Sequence, residues 1–174
     1  TIMRMVPALD AGPAILSIAT PIAPDETAGE LQLRLSELGA TAIVEALALL
    51  AIGAAKEVPQ DEALVTYAQK IERADARLDF AQSADVVART IRAYDPKPGA
   101  WAVHRGSELR LFGATPAAAS GVPGTVLRTT SDGMLVACGH DAVRIAEVHP
   151  AGKRRQRVDE WVRGRGVAEG DMLA

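Results

Sequence analysis

The chain has 174 residues, of which 48% are hydrophobic, 24% charged and only 3% aromatic. This is a globular composition that excludes a disordered class, and its cores must be assembled from Ala, Val, Ile and Leu rather than from rings. The formal net charge of −3 hides an asymmetry: residues 1–96 hold 8 basic and 14 acidic side chains and residues 97–174 hold 11 and 8, so a polyanionic partner is expected on the second half.

Taken in order, Thr1-Ile2-Met3-Arg4-Met5-Val6 reads as a half-buried strand already in progress, and the chain is therefore expected to be a portion of something longer. The strand runs into Leu9-Asp10-Ala11-Gly12-Pro13, a turn that presents one carboxylate at a strand's end, where open α/β sheets place their chemistry. Asp10 is the first catalytic candidate, and the alternative reading is a turn residue that bonds its own backbone. Residues 14–19 form a second apolar β-run, stopped by Pro21 and Pro24.

Thr27 and Glu30 have the capping-box spacing, and Leu31, Leu35, Leu38 and Ala42 follow at helical intervals. This helix is expected to break near Gly39, resume to Leu50 and use Gly53 as its C-terminal cap. The apolar stretch 40–55 is interrupted by Thr41, Glu45 and Gly53 and falls short of the ~20 residues a membrane span needs, so none is expected. Residues 54–72, which mix Pro, charge and small side chains without a period, are expected as a linker. A short helix over 83–93 follows, with Val86, Val87, Thr90 and Ile91 as its apolar face, and Asp95-Pro96-Lys97-Pro98-Gly99 ends it.

The period then changes. Residues 100–104, 109–114, 125–130, 134–138 and 143–148 are five short alternating runs separated by tight turns, which predicts a small Greek-key barrel of the OB type. Residues 158–162 add a last helical turn. Trp101 is expected in the core. His104, His140 and His149 lie on separate strands and turns without ligand spacing, so they are expected at the surface or at strand edges and a zinc site is rejected. Cys138, the single cysteine, excludes an internal disulfide and a thiolate-rich metal site; beside Leu135, Val136 and Ala137 it is expected to be a buried core residue, and a reducing cytoplasmic location fits. The densest charge is Lys153-Arg154-Arg155-Gln156-Arg157, by default a solvated loop.

Four blocks together resemble the methionyl-tRNA formyltransferase family. They are the strand and turn from Thr1 to Pro13; Leu64-Val65-Thr66-Tyr67-Ala68-Gln69-Lys70-Ile71 with Ala76-Arg77-Leu78-Asp79-Phe80; the run from Ile91 through Pro96 to Trp101; and Pro150-Ala151-Gly152-Lys153-Arg154. Within them Phe80 stands where Trp is usual, Lys97 where an aromatic is, Asp95 where Asn is and His149 where Gln is. The resemblance implies an α/β fold, the end of a Rossmann-like formyltransferase domain (residues 1–53), then a linker (54–72) and an all-β OB-type barrel domain (73–174).

It also implies transfer of a formyl group from 10-formyltetrahydrofolate to the α-amine of methionine on initiator methionyl-tRNA; no metal and no membrane are expected, and a monomer is expected. In that reading Asp10 is catalytic, fixing the tautomer of the family's His. Lys153, Arg154 and Arg155 contact tRNA phosphates, with Arg92, Lys97 and Arg105 as weaker candidates. The likeness covers the last half of the family's length, and the chain contains no Asn, so the family's catalytic Asn is not here and only part of the active site is expected. The alternatives are another folate-dependent formyltransferase or formyl hydrolase of the same superfamily, which would share the Asp turn, and a non-catalytic tRNA-binding OB module.

Overall fold

The computed structural model describes residues Thr1–Ala174, which separate into two units: Thr1–Pro24 with Glu30–Lys70, and Asp25–Gly29 with Ile71–Ala174. In the first, β1 (Ile2–Met3) pairs antiparallel with β2 (Ala14–Leu16), Ile2 opposite Leu16 and Met3 opposite Ala14. Both strands are shorter than the expected runs 1–6 and 14–19, and Met5, Val6 and Ile18 beyond them are exposed. Residues 57–60, expected within a linker, lie on this ribbon instead. Val58 exchanges two backbone hydrogen bonds with Ala14 (2.8 and 2.9 Å), and Arg4 Nε donates to the Glu57 carboxylate at 2.9 Å. Free backbone groups on a strand edge recruit whatever chain lies beside them, even without an alternating pattern.

The helix α1 (Ala28–Ala51) runs unbroken through Gly39, against the expected interruption. An interior glycine costs about 1 kcal/mol relative to Ala, which a 24-residue helix of mostly Ala, Leu and Glu absorbs. Gly53 does end it: at φ +70° its N–H bonds the Leu50 carbonyl and that of Ala54 bonds Leu49, the paired closure that a left-handed residue allows. Ala42 and Ala46 are buried, while Leu35, expected beside them, is exposed.

In the second unit, α2 (Ala84–Ala93) buries Ala84, Val87, Ala88 and Ile91, an i, i+3, i+4, i+7 stripe. Val86, one position off this stripe, is exposed rather than part of the apolar face. All five predicted strands are present: β3 (Trp101–His104), β4 (Ser107–Ala117), β5 (Val126–Thr130), β6 (Gly133–Ala137) and β7 (Ala142–Pro150). A two-residue β8 (Gln156–Arg157) pairs with β7 and leads into α3 (Val158–Arg163). The sheet is antiparallel in the order β3-β4-β7-β6-β5, so β4 returns beside β7 and the strands from β4 to β7 form a Greek key.

The strand ladder does not close as an OB-type barrel: β3 and β5 end the path and do not pair with each other. The C-terminal residues lie along both of these edges. The backbone N–H of Val126 bonds the Asp171 carbonyl, that of Leu173 bonds Gly124, and Val103 and Ala174 exchange two bonds. Gly124 has no room for a side chain, because a Cβ would meet the Leu173 carbonyl oxygen at 2.3 Å.

The core lies between α2, the inner sheet face and α3, and it is mostly aliphatic, with Leu109, Leu111, Val136, Val143, Ile145 and Val148 at its centre. Cys138 is buried as expected, and burial pushes its thiol pKa up to about 11. Two expectations are corrected. His104 is buried, edge-on to Trp161 with ring centroids 5.3 Å apart, because even positions of β3 face inward. Trp101, at an odd position of the same strand, is only half-buried, and Trp161 supplies the core indole.

Candidate functional site

The turn carrying Asp10 is built by backbone constraint rather than by packing. Arg4 N–H closes the ribbon onto the Pro13 carbonyl at 3.0 Å. Gly12 is buried against Arg4 so closely that a Cβ would lie 1.7 Å from the Arg4 carbonyl oxygen. Asp10 itself sits at φ +50°, in the left-handed region that Asp and Asn tolerate better than other side chains. Gln60 then locks the turn from the other side, its Nε2 donating to the carbonyls of Asp10 (2.8 Å) and Gly12 (2.7 Å).

With its backbone held at both faces, the Asp10 side chain is exposed at a concavity of about 250 Å³ lined by residues 3–12. A carboxylate so placed can orient an imidazole or accept its proton, but it has no nucleophile and no oxyanion donor beside it. All three histidines belong to the second unit, at positions 104, 140 and 149. Gln60 is a positioning residue that sequence reading missed, since it lies 50 residues from Asp10 in a stretch without periodicity.

The basic candidates divide by what they touch. Arg155 is fastened: its Nη1 and Nη2 reach the two Asp95 oxygens at 3.0 and 3.4 Å, its Nε bonds Glu147, and its guanidinium lies 4.0 Å from the centre of the Phe112 ring. Burial disfavours its charge, but Asp95 and Glu147 outweigh that, and its pKa stands above the ordinary arginine value. Phe112 is fully buried yet lies apart from the main core, beneath Arg155 and beside Gly99.

Arg105 is fastened too. It occupies a two-residue hairpin turn with Gly106 (φ 47° and 76°), and its Nη2 donates to both Asp171 oxygens. Asp171 also accepts from His104 Nε2 at 3.0 Å and from the Ala168 N–H at 2.9 Å, so it ties the β3–β4 turn to the C-terminal segment. Arg154 pairs with Glu160 at 3.1 Å but is mostly exposed. Lys153 at the tip of its turn and Lys97 are exposed, and Arg92 on α2 is half-buried; none of the three has a carboxylate partner.

The structure therefore brings Arg155 and the 95–99 loop together through Asp95, places Lys153 and Arg154 in the adjoining turn, and leaves Arg105 and Arg92 elsewhere. The charge run alone carried no signal separating the fastened arginine from its free neighbours.

Among known proteins, residues 70–166 match the formyl transferase C-terminal domain. A methionyl-tRNA formyltransferase of Aromatoleum aromaticum is 45% identical over 173 residues, 99% of this chain and 55% of that protein. One of Pseudomonas paraeruginosa is 44% identical over 154 residues, 88% of this chain and 50% of that protein. The chain spans about half the length of the curated relatives it matches. Among solved structures, HypX from Aquifex aeolicus in complex with tetrahydrofolic acid shares the fold, with a TM-score of 0.74 at 23% identity over 99% of this chain and 33% of that one.

Proposed function

The chain belongs to the formyl transferase family, and from that premise we propose that it works as the second half of a methionyl-tRNA formyltransferase. The reaction is transfer of a formyl group from 10-formyltetrahydrofolate to the α-amine of methionine on initiator methionyl-tRNA. The observation that carries this reading is the 45% identity to the Aromatoleum aromaticum enzyme, which runs over 173 residues and so takes in both the Asp10 turn and the basic turn.

The chemistry sets the roles. A neutral amine attacks the formyl carbon, negative charge develops on the carbonyl oxygen, and a proton must leave the nitrogen. Oxyanion donors would come from Asn and His side chains outside these 174 residues. Asp10 acts through that His: a carboxylate on one ring nitrogen fixes the tautomer and favours the charged imidazolium. Lys153 and Arg154 give tRNA affinity through phosphates, with Lys97 and Arg92 contributing and Arg155 and Arg105 holding the surfaces in place.

The test is single-turnover formylation by the complete enzyme carrying Asp10→Asn, alongside tRNA binding by the same variant. Turnover falls by about 10²-fold or more while tRNA affinity stays near wild type, since the carboxylate serves the chemistry and not the phosphates. An unchanged single-turnover rate reduces Asp10 to a turn residue and removes the catalytic reading.

A further inference from the structure

One face of the sheet gathers arginine around a half-buried indole. Trp101 on β3 stands directly opposite Arg110 on β4, and Arg110 opposite His149 on β7. Directly opposed residues of antiparallel strands project from the same face, so the three form a row. The Trp101 Nε1 donates to the Arg73 carbonyl at 2.9 Å, which leaves the ring rather than the N–H to act outward. The guanidinium carbons of Arg73 and Arg77 lie 5.7 and 5.6 Å from its centroid.

Negative charge within ion-pair reach is limited to Glu108, which pairs with Arg73 and lies 3.7 Å from Arg110. Asp75 and Asp79 line the same groove as Arg77 but turn their oxygens to local donors, the Glu72 N–H for Asp75 and the Ala81 N–H and Gln82 amide for Asp79. Arg77 has no carboxylate partner.

We propose that the face formed by Arg73, Arg77, Trp101 and Arg110 is a contact surface for the RNA phosphodiester backbone. The inference rests on the tRNA reading above and extends it to residues outside the basic turn. A guanidinium fork matches phosphate geometry, and an arginine already laid against a ring has lost part of its side-chain freedom before the ligand arrives. Trp101 is here a positioning residue, and Arg77 and Arg110 take the phosphates. The row ends at His149, from which β7 leads directly into the Lys153–Arg154 turn, so the two surfaces are continuous along one strand.

The experiment measures binding of initiator tRNA to the complete enzyme, as used for the Asp10 test, as log affinity against log salt. Arg77→Gln and Arg110→Gln should each weaken binding and each flatten the slope by about one unit, the loss of one phosphate contact. Trp101→Ala should weaken binding about two- to fivefold with the slope unchanged, because it removes orientation and not charge, and Trp101→Phe, which keeps a ring, should restore most of that loss even if the alanine variant folds poorly. Wild-type affinity and slope in both arginine variants, with Lys153→Gln still weakening binding, overturn the proposal and leave the tRNA reading intact. A wild-type complete enzyme that does not bind initiator tRNA overturns both. Arginine variants that lose a polyglutamate peptide but keep tRNA make the face a protein contact, which also overturns the proposal.

Discussion

Removing the Arg155 guanidinium should destabilise the second unit far more than a surface charge deletion, and the size follows from what it covers. Arg155→Gln leaves the Asp95 carboxylate, 11% exposed, without the bidentate partner that sits 3.0 and 3.4 Å away. Breaking one end of a fully buried pair costs about 3–5 kcal/mol. The Arg155 side chain is 39% exposed, so solvent screening reduces this to about 2 kcal/mol. Loss of the cation over Phe112 adds about 0.5–1 kcal/mol, for a total of about 3 kcal/mol and a Tm lowered by about 10 °C. The decisive comparison is thermal or urea unfolding, followed by far-UV circular dichroism, of wild type, Arg155→Gln, Asp95→Asn and the double variant. With Asn at 95 no charge is stranded, so the double variant should recover at least half of the loss. Strictly additive changes, with a coupling under about 0.5 kcal/mol, would refute the clasp and return Arg155 to the free phosphate ligands.

Three further outcomes are expected. Burial raises the Asp171 pKa, but the bonds from the Ala168 N–H, His104 and Arg105 outweigh it and hold the carboxyl below its ordinary value. Its contribution is therefore complete above about pH 4, the ordinary carboxylate value, and is lost as the pH falls through the lower native one; Asp171→Asn should cost about 2 kcal/mol at pH 7 and flatten the acid limb of a urea-midpoint profile, and a parallel limb contradicts this. Cys138, with its thiol pushed up to about 11, should react with a disulfide reagent at pH 8 at least about a hundredfold more slowly in the native chain than in urea, and equal rates would mean that the β6–β7 region opens readily. Gly12→Ala places a Cβ against the Arg4 carbonyl and should lower the urea midpoint by the equivalent of more than about 2 kcal/mol, whereas an unchanged midpoint would mean that the Asp10 turn is not rigid.

Most of the element order was legible because the patterns are local. Alternation over 100–104 buried one side of that strand, the apolar runs at 134–138 and 143–148 marked strands of the core, and Gly53 announced its own cap through the left-handed φ it adopts. The Asp10 turn was legible as a carboxylate at a strand end, but its rigidity was not, because it depends on Gln60 and Gly12 meeting carbonyls supplied by other segments. The basic run was visible as charge alone. That Arg155 is committed to Asp95 while Lys153 is not depends on a contact 60 residues apart in the chain.

By itself, then, the sequence determined the order of the main helices and of the five strands from β3 to β7, that the second half is the basic one, and the family through four short blocks in order. Those properties are carried by residue type and spacing, and neighbours a few positions apart suffice to express them. Tertiary structure alone decided which strand edges meet, so that β4 pairs with β7 and the C-terminal residues line the edges of β3 and β5 in place of a closed barrel. It also decided that His104 faces inward to Asp171 while Trp101, three residues earlier, turns outward among arginines. Backbone edges and charged side chains are satisfied by whichever partner the folded chain brings within about 3 Å, and no local pattern encodes that choice.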